Sequence, residues 1–277
     1  MLKQRIITAL LLLAVFLPAL FHPDPLWIGI AGLLLVVAGA WEWGRLNDMS
    51  AKSALSMSAL CLAACAVLWV VQTRALLPSA VWLFISIFWV ALLLYFLKNG
   101  VDSWRLFPAI VRNLTGILAL TMTWLALFQA KNAGTSLLTS VLLLVWVADI
   151  AAYFVGKQWG KHKLAPTISP GKSREGLVGG LLGVVLLSFT WLSLQTRFPA
   201  MGGSLFDRLY VHGSLSMLAG VLGLTLISAA GDLFESLLKR SAGVKDSSGL
   251  LPGHGGVLDR LDALLPTLPV AVLLALM

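Results

Sequence analysis

The sequence predicts an all-α, polytopic membrane protein of about nine transmembrane helices, with its N-terminus in the cytoplasm. Three observations carry this expectation. Of 277 residues, 59% are hydrophobic and 12% charged, with a mean hydropathy of +0.92. A soluble domain has about a quarter of its residues charged, and a disordered chain is polar and charge-rich. The apolar residues fall in blocks of roughly membrane-spanning length, about 20 residues each. Lysine and arginine also alternate in density from one loop to the next.

The expected spans are 6–21, 26–43, 54–72, 79–97, 108–129, 135–156, 176–195, 213–235 and 264–277. Lys3 and Arg5 ahead of the first span give it the look of a signal peptide. Leu17-Pro18-Ala19-Leu20-Phe21-His22 offers no small-x-small cleavage site, so it is read as a membrane helix. The last span is short. Residues 1–130 are expected to be a scaffold that offers oligomer contacts, and 131–277 to carry the catalytic site. No internal repeat and no low-complexity segment stands out.

With the N-terminus inside, sixteen Lys and Arg fall in cytoplasmic segments and four on the opposite side. The four are Arg74, Lys131, Arg197 and Arg208. Positively charged loops stay in the cytoplasm, so this ratio supports the alternation. Net charge is +8. Trp27, Trp41, Trp43, Trp104 and Trp159 lie near span ends and read as an interfacial aromatic belt. Cys61 and Cys65 are four apart within an apolar run and read as small packing residues. Gly176/Gly180 and Gly179/Gly183 open the seventh span and would admit a neighbouring helix closely.

The acidic residues are unevenly placed. Of twelve, seven lie in the second half near the cytoplasmic edge: Asp149, Glu175, Asp232, Glu235, Asp246, Asp259 and Asp262. Ionisable groups at membrane depth are expensive and mark functional sites. Asp149 lies inside an apolar run about two turns before the next loop. Asp232, Glu235 and Lys239 fall at i, i+3 and i+7, on one helix face. Asp232 follows an almost charge-free stretch from Leu215, so a solvated stripe explains it poorly.

The segment from Lys245 to Asp262 holds four glycines and a proline. Such a loop can bring backbone N–H groups close to an anion, and His254 sits between two of its glycines. Asp259 and Asp262, three apart, share a face beyond it. Carboxylate oxygens suit Mg²⁺, which keeps substrate phosphates in its shell. Lys239, Arg240, Lys245 and Arg260 can neutralise phosphate charge. These residues point to metal-assisted phosphoryl or nucleotidyl chemistry at a membrane face.

Ser169-Pro170-Gly171-Lys172-Ser173-Arg174-Glu175-Gly176 contains a Gly-Lys-Ser triplet. A phosphate-binding P-loop needs glycine where Pro166 stands, and no strand is expected before it. The segment reads instead as a cationic loop at a helix start, favourable to phosphate or serving as a positive-inside anchor.

The run Ser236-Leu237-Leu238-Lys239-Arg240, then Lys245-Asp246, then His254-Gly255-Gly256-Val257-Leu258-Asp259-Arg260-Leu261-Asp262 resembles the signature of phosphatidate cytidylyltransferases (CDP-diacylglycerol synthases). Trp41-Glu42-Trp43, Asp149 with Tyr153, and the Ser169–Gly176 segment add to the likeness. Gly171 departs from it, since the family often has a lysine there. The resemblance implies a membrane enzyme that joins CTP and phosphatidic acid into CDP-diacylglycerol and pyrophosphate for phospholipid synthesis. It implies Mg²⁺ or Mn²⁺ on Asp232 and Asp259, a monovalent cation such as K⁺ beside it, and a homodimer. The short loops and positive-inside bias favour a bacterial inner-membrane location with the active site facing the cytoplasm, and no nucleic acid is expected as partner.

On this reading Lys239, Lys245, Asp246, His254, Arg260 and Asp262 are the expected catalytic residues. Asp149, Ser169, Lys172, Arg174, Glu175, Glu235, Ser236, Arg240, Gly255 and Gly256 are the expected substrate-binding residues. Two alternatives fit less well. A CTP-dependent polyisoprenol-type lipid kinase would use similar residues but transfer the γ-phosphoryl group. A cation-coupled transporter predicts buried charges in both halves, whereas these gather in one. A CDP-alcohol phosphotransferase needs an Asp-Gly pair, and the chain has none.

Overall fold

The structure, a computed structural model, describes residues 2–74 and 77–277. It is almost wholly helical. The long helices are α1 (Leu2–Phe21), α2 (Leu26–Leu46), α3 (Ala51–Arg74), α4 (Ser79–Asn99), α5 (Ala109–Ala133), α6 (Thr135–Trp159), α7 (Arg174–Gln195) and α9 (Ser214–Ser241). Shorter ones are α8 (Leu205–Tyr210), α10 (Leu258–Leu261) and α11 (Leu264–Leu276). Several boundaries follow from backbone chemistry. Pro25, Pro78 and Pro108 immediately precede α2, α4 and α5, where a missing N–H costs nothing. Gly100 (φ +78°) and Gly134 (φ +142°) end α4 and α5 in conformations that side chains resist.

Every expected span coincides with a helix. Among the described residues, seven helices, α2 to α7 and α9, are long and apolar enough to cross a membrane, and the protein is a multi-pass membrane protein. α1 contributes only the shorter apolar stretch Ile7–Phe21. The ninth expected span differs most. α11 has 13 residues, a rise of about 20 Å, short of a hydrocarbon layer of about 30 Å. Its residues Leu264–Val272 are buried in the bundle, packed on α4, α5 and α9. α11 is thus the core element that joins the two halves.

Pro269 denies the Leu265 carbonyl its helical donor. The Thr123 hydroxyl on α5 lies 3.0 Å from that carbonyl and 2.7 Å from the Ala119 carbonyl, so its one proton is shared between them and gives Leu265 O a polar neighbour in the apolar interior.

Bonds between element ends sort into two faces. Arg105 donates to Ser241 O and pairs with Asp48 on one face. On the other, Lys131 donates to Leu20 O, Ser136 to Met201 O, and Arg208 to Ala133 O and Ala275 O. The two groups of bonds lie at opposite ends of α5 and of α9.

The glycine seam holds. A Cβ on Gly176 or Gly180 would lie 2.8 or 2.9 Å from the Ala152 or Ala148 carbonyl of α6. Cys61 and Cys65 are buried free thiols within the core. The aromatic-belt reading needs correction at two positions. Trp27 and Trp159 are exposed, but Trp43 and Trp104 are buried around Phe234, with ring centroids 6.3 and 5.6 Å from it. Their indole N–H groups find internal partners, the Arg112 carbonyl at 2.9 Å and Asn47 Oδ1 at 2.8 Å. That lets large amphipathic rings leave the interface.

The expected loop at Ser169–Gly176 is also more ordered, together with the residues before it. It forms an antiparallel hairpin of β1 (Lys163–Ala165) and β2 (Ser169–Ser173), so a strand does precede α7. Ser173 ends β2 and caps α7, its hydroxyl accepting from Gly176 N at 3.1 Å.

Candidate active site

Four aspartates from three parts of the chain line one cavity of about 570 Å³. Asp149 comes from α6, Asp232 from α9, and Asp259 and Asp262 from α10 and its end. Ser169, Lys172 and Arg260 line it too. Close helix approach makes the gathering possible. A Cβ on Gly231 would lie 2.8 Å from the Asp262 carbonyl and 2.7 Å from Pro266 Cγ. Only glycine brings α9 that near, and the next residue is Asp232.

The carboxylates are held differently. Asp232 forms an ion pair with Lys172 of β2. Asp259 accepts from Lys239 Nζ at 2.6 Å on one oxygen. Its other oxygen accepts from the Ser247 and Gly256 amides at 3.0 and 2.7 Å. Burial works against its charge, but these donors outweigh burial and hold the carboxyl below its usual range. Asp262 goes the other way. Burial first, and then the charge of Asp232, push its carboxyl well above the carboxylate range.

A second cleft of about 660 Å³ lies alongside. Lys245, Asp246, His254 and Gly255 line it. Arg260 lines both spaces, and its Nη2 donates to the His254 carbonyl at 2.7 Å. The glycines of this loop have geometric reasons. Gly255 adopts φ +85°, and a Cβ there would sit 2.7 Å from Asp259 Oδ2. A Cβ on Gly256 would strike Ser247 Oγ at 2.0 Å.

Several expected site residues lie outside both linings. Glu175 is turned to the hairpin base, accepting from His162 Nδ1 at 2.6 Å and from the Lys161 amide at 3.1 Å. Glu235 is buried and pairs with Lys239, while Ser236 and Gly256 are buried beside the site. Arg240 donates to the Val244 carbonyl beyond the end of α9, and Arg174 opens α7.

Other residues come to the site without having been assigned to it. Tyr153 and Lys157 line the aspartate cavity, with the Lys157 ammonium 5.8 Å from the Tyr153 ring centre. The signal was there: 149, 153 and 157 form one stripe four residues apart. Glu42 of α2 is fully buried and grips the glycine loop through Ser247, Ser248, Val257 and Leu258.

The donor set is hard oxygen and suits Mg²⁺ or Mn²⁺ in type. Among the described residues, no three acidic, His or Cys side chains are already gathered as a ligand set. Lysines now hold both proposed ligands: Lys172 pairs with Asp232 and Lys239 with Asp259. The fit is thus one of charge and donor chemistry.

Residues 3–277 match the model of the cytidylyltransferase family. The chain is 38% identical to a phosphatidate cytidylyltransferase of Pseudomonas aeruginosa, over 98% of this chain and 95% of the relative. It is 33% identical to that of Haemophilus influenzae, over 97% and 96%. For the Thermotoga maritima relative the figures are 32%, 98% and 94%. The chain therefore belongs to the cytidylyltransferase family and is a nucleotidyltransferase.

Proposed function

We propose that this nucleotidyltransferase moves the cytidylyl group of CTP onto phosphatidic acid, giving CDP-diacylglycerol and pyrophosphate. Near full-length similarity to three phosphatidate cytidylyltransferases supports the substrates. The observation that carries the site assignment is the pair of spaces sharing Arg260. One is walled by residues of spanning helices, including Ala148, Ala152, Gly180 and Ala229, and suits a lipid headgroup. The other is lined by the polar glycine loop and suits the nucleotide.

The chemistry is in-line displacement. A phosphatidate oxygen forms a bond to the CTP α-phosphorus, the bond from that phosphorus to the β-phosphate oxygen breaks, and pyrophosphate leaves with the electron pair. The nucleophile is already anionic, so no strong base is required. The main obstacle is bringing two polyanions together. Lys172 and Lys157 are placed for the lipid phosphate, Lys245 for the triphosphate, and Arg260 for the junction. His254 can donate to the departing pyrophosphate.

Asp232 and Asp259 are the proposed holders of Mg²⁺ or Mn²⁺, with Asp149 and Asp262 beside them. When bound, the ion supplies positive charge to phosphate oxygens and lowers their mutual repulsion. A monovalent cation such as K⁺ beside it is part of the same proposal, from family resemblance. So is a homodimer, for which the exposed apolar faces of α3 and α4 offer contact area. The proposed setting is a bacterial inner membrane with both spaces open to the cytoplasm. Its support is the sixteen-to-four charge asymmetry and the source of CTP.

The test is product analysis with purified protein, phosphatidic acid, Mg²⁺ and CTP labelled at the α-phosphate. Label in a chloroform-soluble CDP-lipid is expected. Label transferred only from γ-labelled CTP would instead establish a lipid kinase.

A further inference from the structure

The Glu42 carboxyl group has no exposure to solvent, and it forms no ion pair among the described residues. A buried polar group persists only where hydrogen bonds replace its lost hydration. Glu42 meets four donor groups, one of them a hydroxyl whose single proton is shared with Asp259. Oε1 accepts from the Ser248 hydroxyl and from Val257 N at 2.9 Å. Oε2 accepts from Leu258 N at 2.7 Å and from the Ser247 hydroxyl at 3.1 Å.

These four donors bracket the glycine loop. Ser247 and Ser248 open it, and Val257 and Leu258 close it. Residues 249–256 between them include four glycines, a segment with much conformational freedom to lose. One carboxylate from the other half of the chain fixes both of its ends. The residues directly after the closure are Asp259 and Arg260. The Ser247 hydroxyl also lies 3.0 Å from Asp259 Oδ2, so the clasp and the aspartate share a neighbour.

We propose that Glu42 is a positioning residue for cytidylyl transfer, clasping the glycine loop shut so that Asp259 and Arg260 face the reacting phosphates. This rests on the function proposed above, and goes beyond it by assigning a role to a residue outside both cavities. The carboxylate is needed for its symmetry. Each of its oxygens faces one backbone N–H. A glutamine has one acceptor and one NH₂, so either rotamer sets NH₂ against Val257 N–H or Leu258 N–H.

The experiment compares wild type and Glu42→Gln in detergent, as full chains without substrate and then in turnover. Hydrogen–deuterium exchange is expected to rise at residues 247–258 and to stay unchanged in α5 and α7. kcat should fall about a hundredfold, the scale of a small misplacement of reacting groups, with KM for phosphatidate within about threefold. Unchanged loop exchange overturns the proposal, as does wild-type kcat. Exchange raised throughout the bundle also overturns it, since Glu42 would then be a general core residue. Where Glu42→Gln fails to accumulate, Ser248→Ala removes one donor and should raise exchange over the same residues. Absence of any CDP-lipid from wild type would overturn the proposed function, whereas the exchange comparison reads the clasp by itself.

Discussion

Lys172 of the hairpin and Asp232 of α9 form an ion pair inside the aspartate cavity. The pair joins the two polar segments that stood out in the sequence. It places a cation, otherwise free to bind phosphate, on a carboxylate otherwise free to bind metal. Substrate and ion are therefore expected to compete with this contact. Asp232→Asn should lower kcat/KM about 10²-fold or more, since the group would act on charge in the transition state. Lys172→Met should act more on KM for phosphatidate. Steady-state kinetics over a Mg²⁺ titration checks both, and wild-type rates in Asp232→Asn would remove it from the site.

Gly231→Ala should damage both stability and activity. The added methyl meets the Asp262 carbonyl at 2.8 Å, a backbone atom that cannot swing aside. Overpacking of this kind costs about 1–3 kcal/mol. Thermal unfolding in detergent reads the loss, and assay below the transition reads the displacement of Asp232 from Asp262. A variant with unchanged melting and turnover would show that α9 does not need this closeness.

Thr123→Val should separate stability from catalysis. Valine keeps the shape but leaves the Leu265 carbonyl, freed by Pro269, without its hydroxyl donor at 3.0 Å. The expected cost is about 1 kcal/mol with kcat unchanged. An equal loss of kcat would mean that α11 transmits to the site.

The orientation can be read by labelling. Cys61 and Cys65 are both buried, and alanine at both gives a background without thiols. In that background Asp102→Cys and Thr196→Cys place one exposed thiol on each face. An impermeant maleimide added to intact cells with a permeabilised outer membrane should label the second alone. Labelling of the first alone would invert the proposed topology.

Loss of the proposed divalent ion should be reversible. Chelation should abolish cytidylyl transfer, and Mg²⁺ or Mn²⁺ should restore it. Transfer that survives exhaustive chelation would overturn the metal assignment to Asp232 and Asp259.

By itself the sequence determined the helical membrane class, the place of every long helix and the segments that carry chemistry. Those properties are local: apolar runs of spanning length, glycine pairs four apart, and carboxylates at membrane depth each have a cost or geometry readable within one element. The Ser236–Asp262 run also carried the family by itself.

The tertiary structure decided what depends on neighbours. It drew Asp149, Asp232, Asp259 and Asp262 from separate elements into one cavity, and turned Glu175 away to His162. It buried Trp43 and Trp104 around Phe234 because internal acceptors met their N–H groups. It made the short α11 a core strut rather than a lipid-facing span, since its sides meet α4, α5 and α9. Glu42 is the clearest case. In the chain it is one acid between two tryptophans, and its four donors lie more than two hundred residues away. Hydrogen bonds over that separation exist only once the helices have packed, so no periodicity along the sequence could signal them.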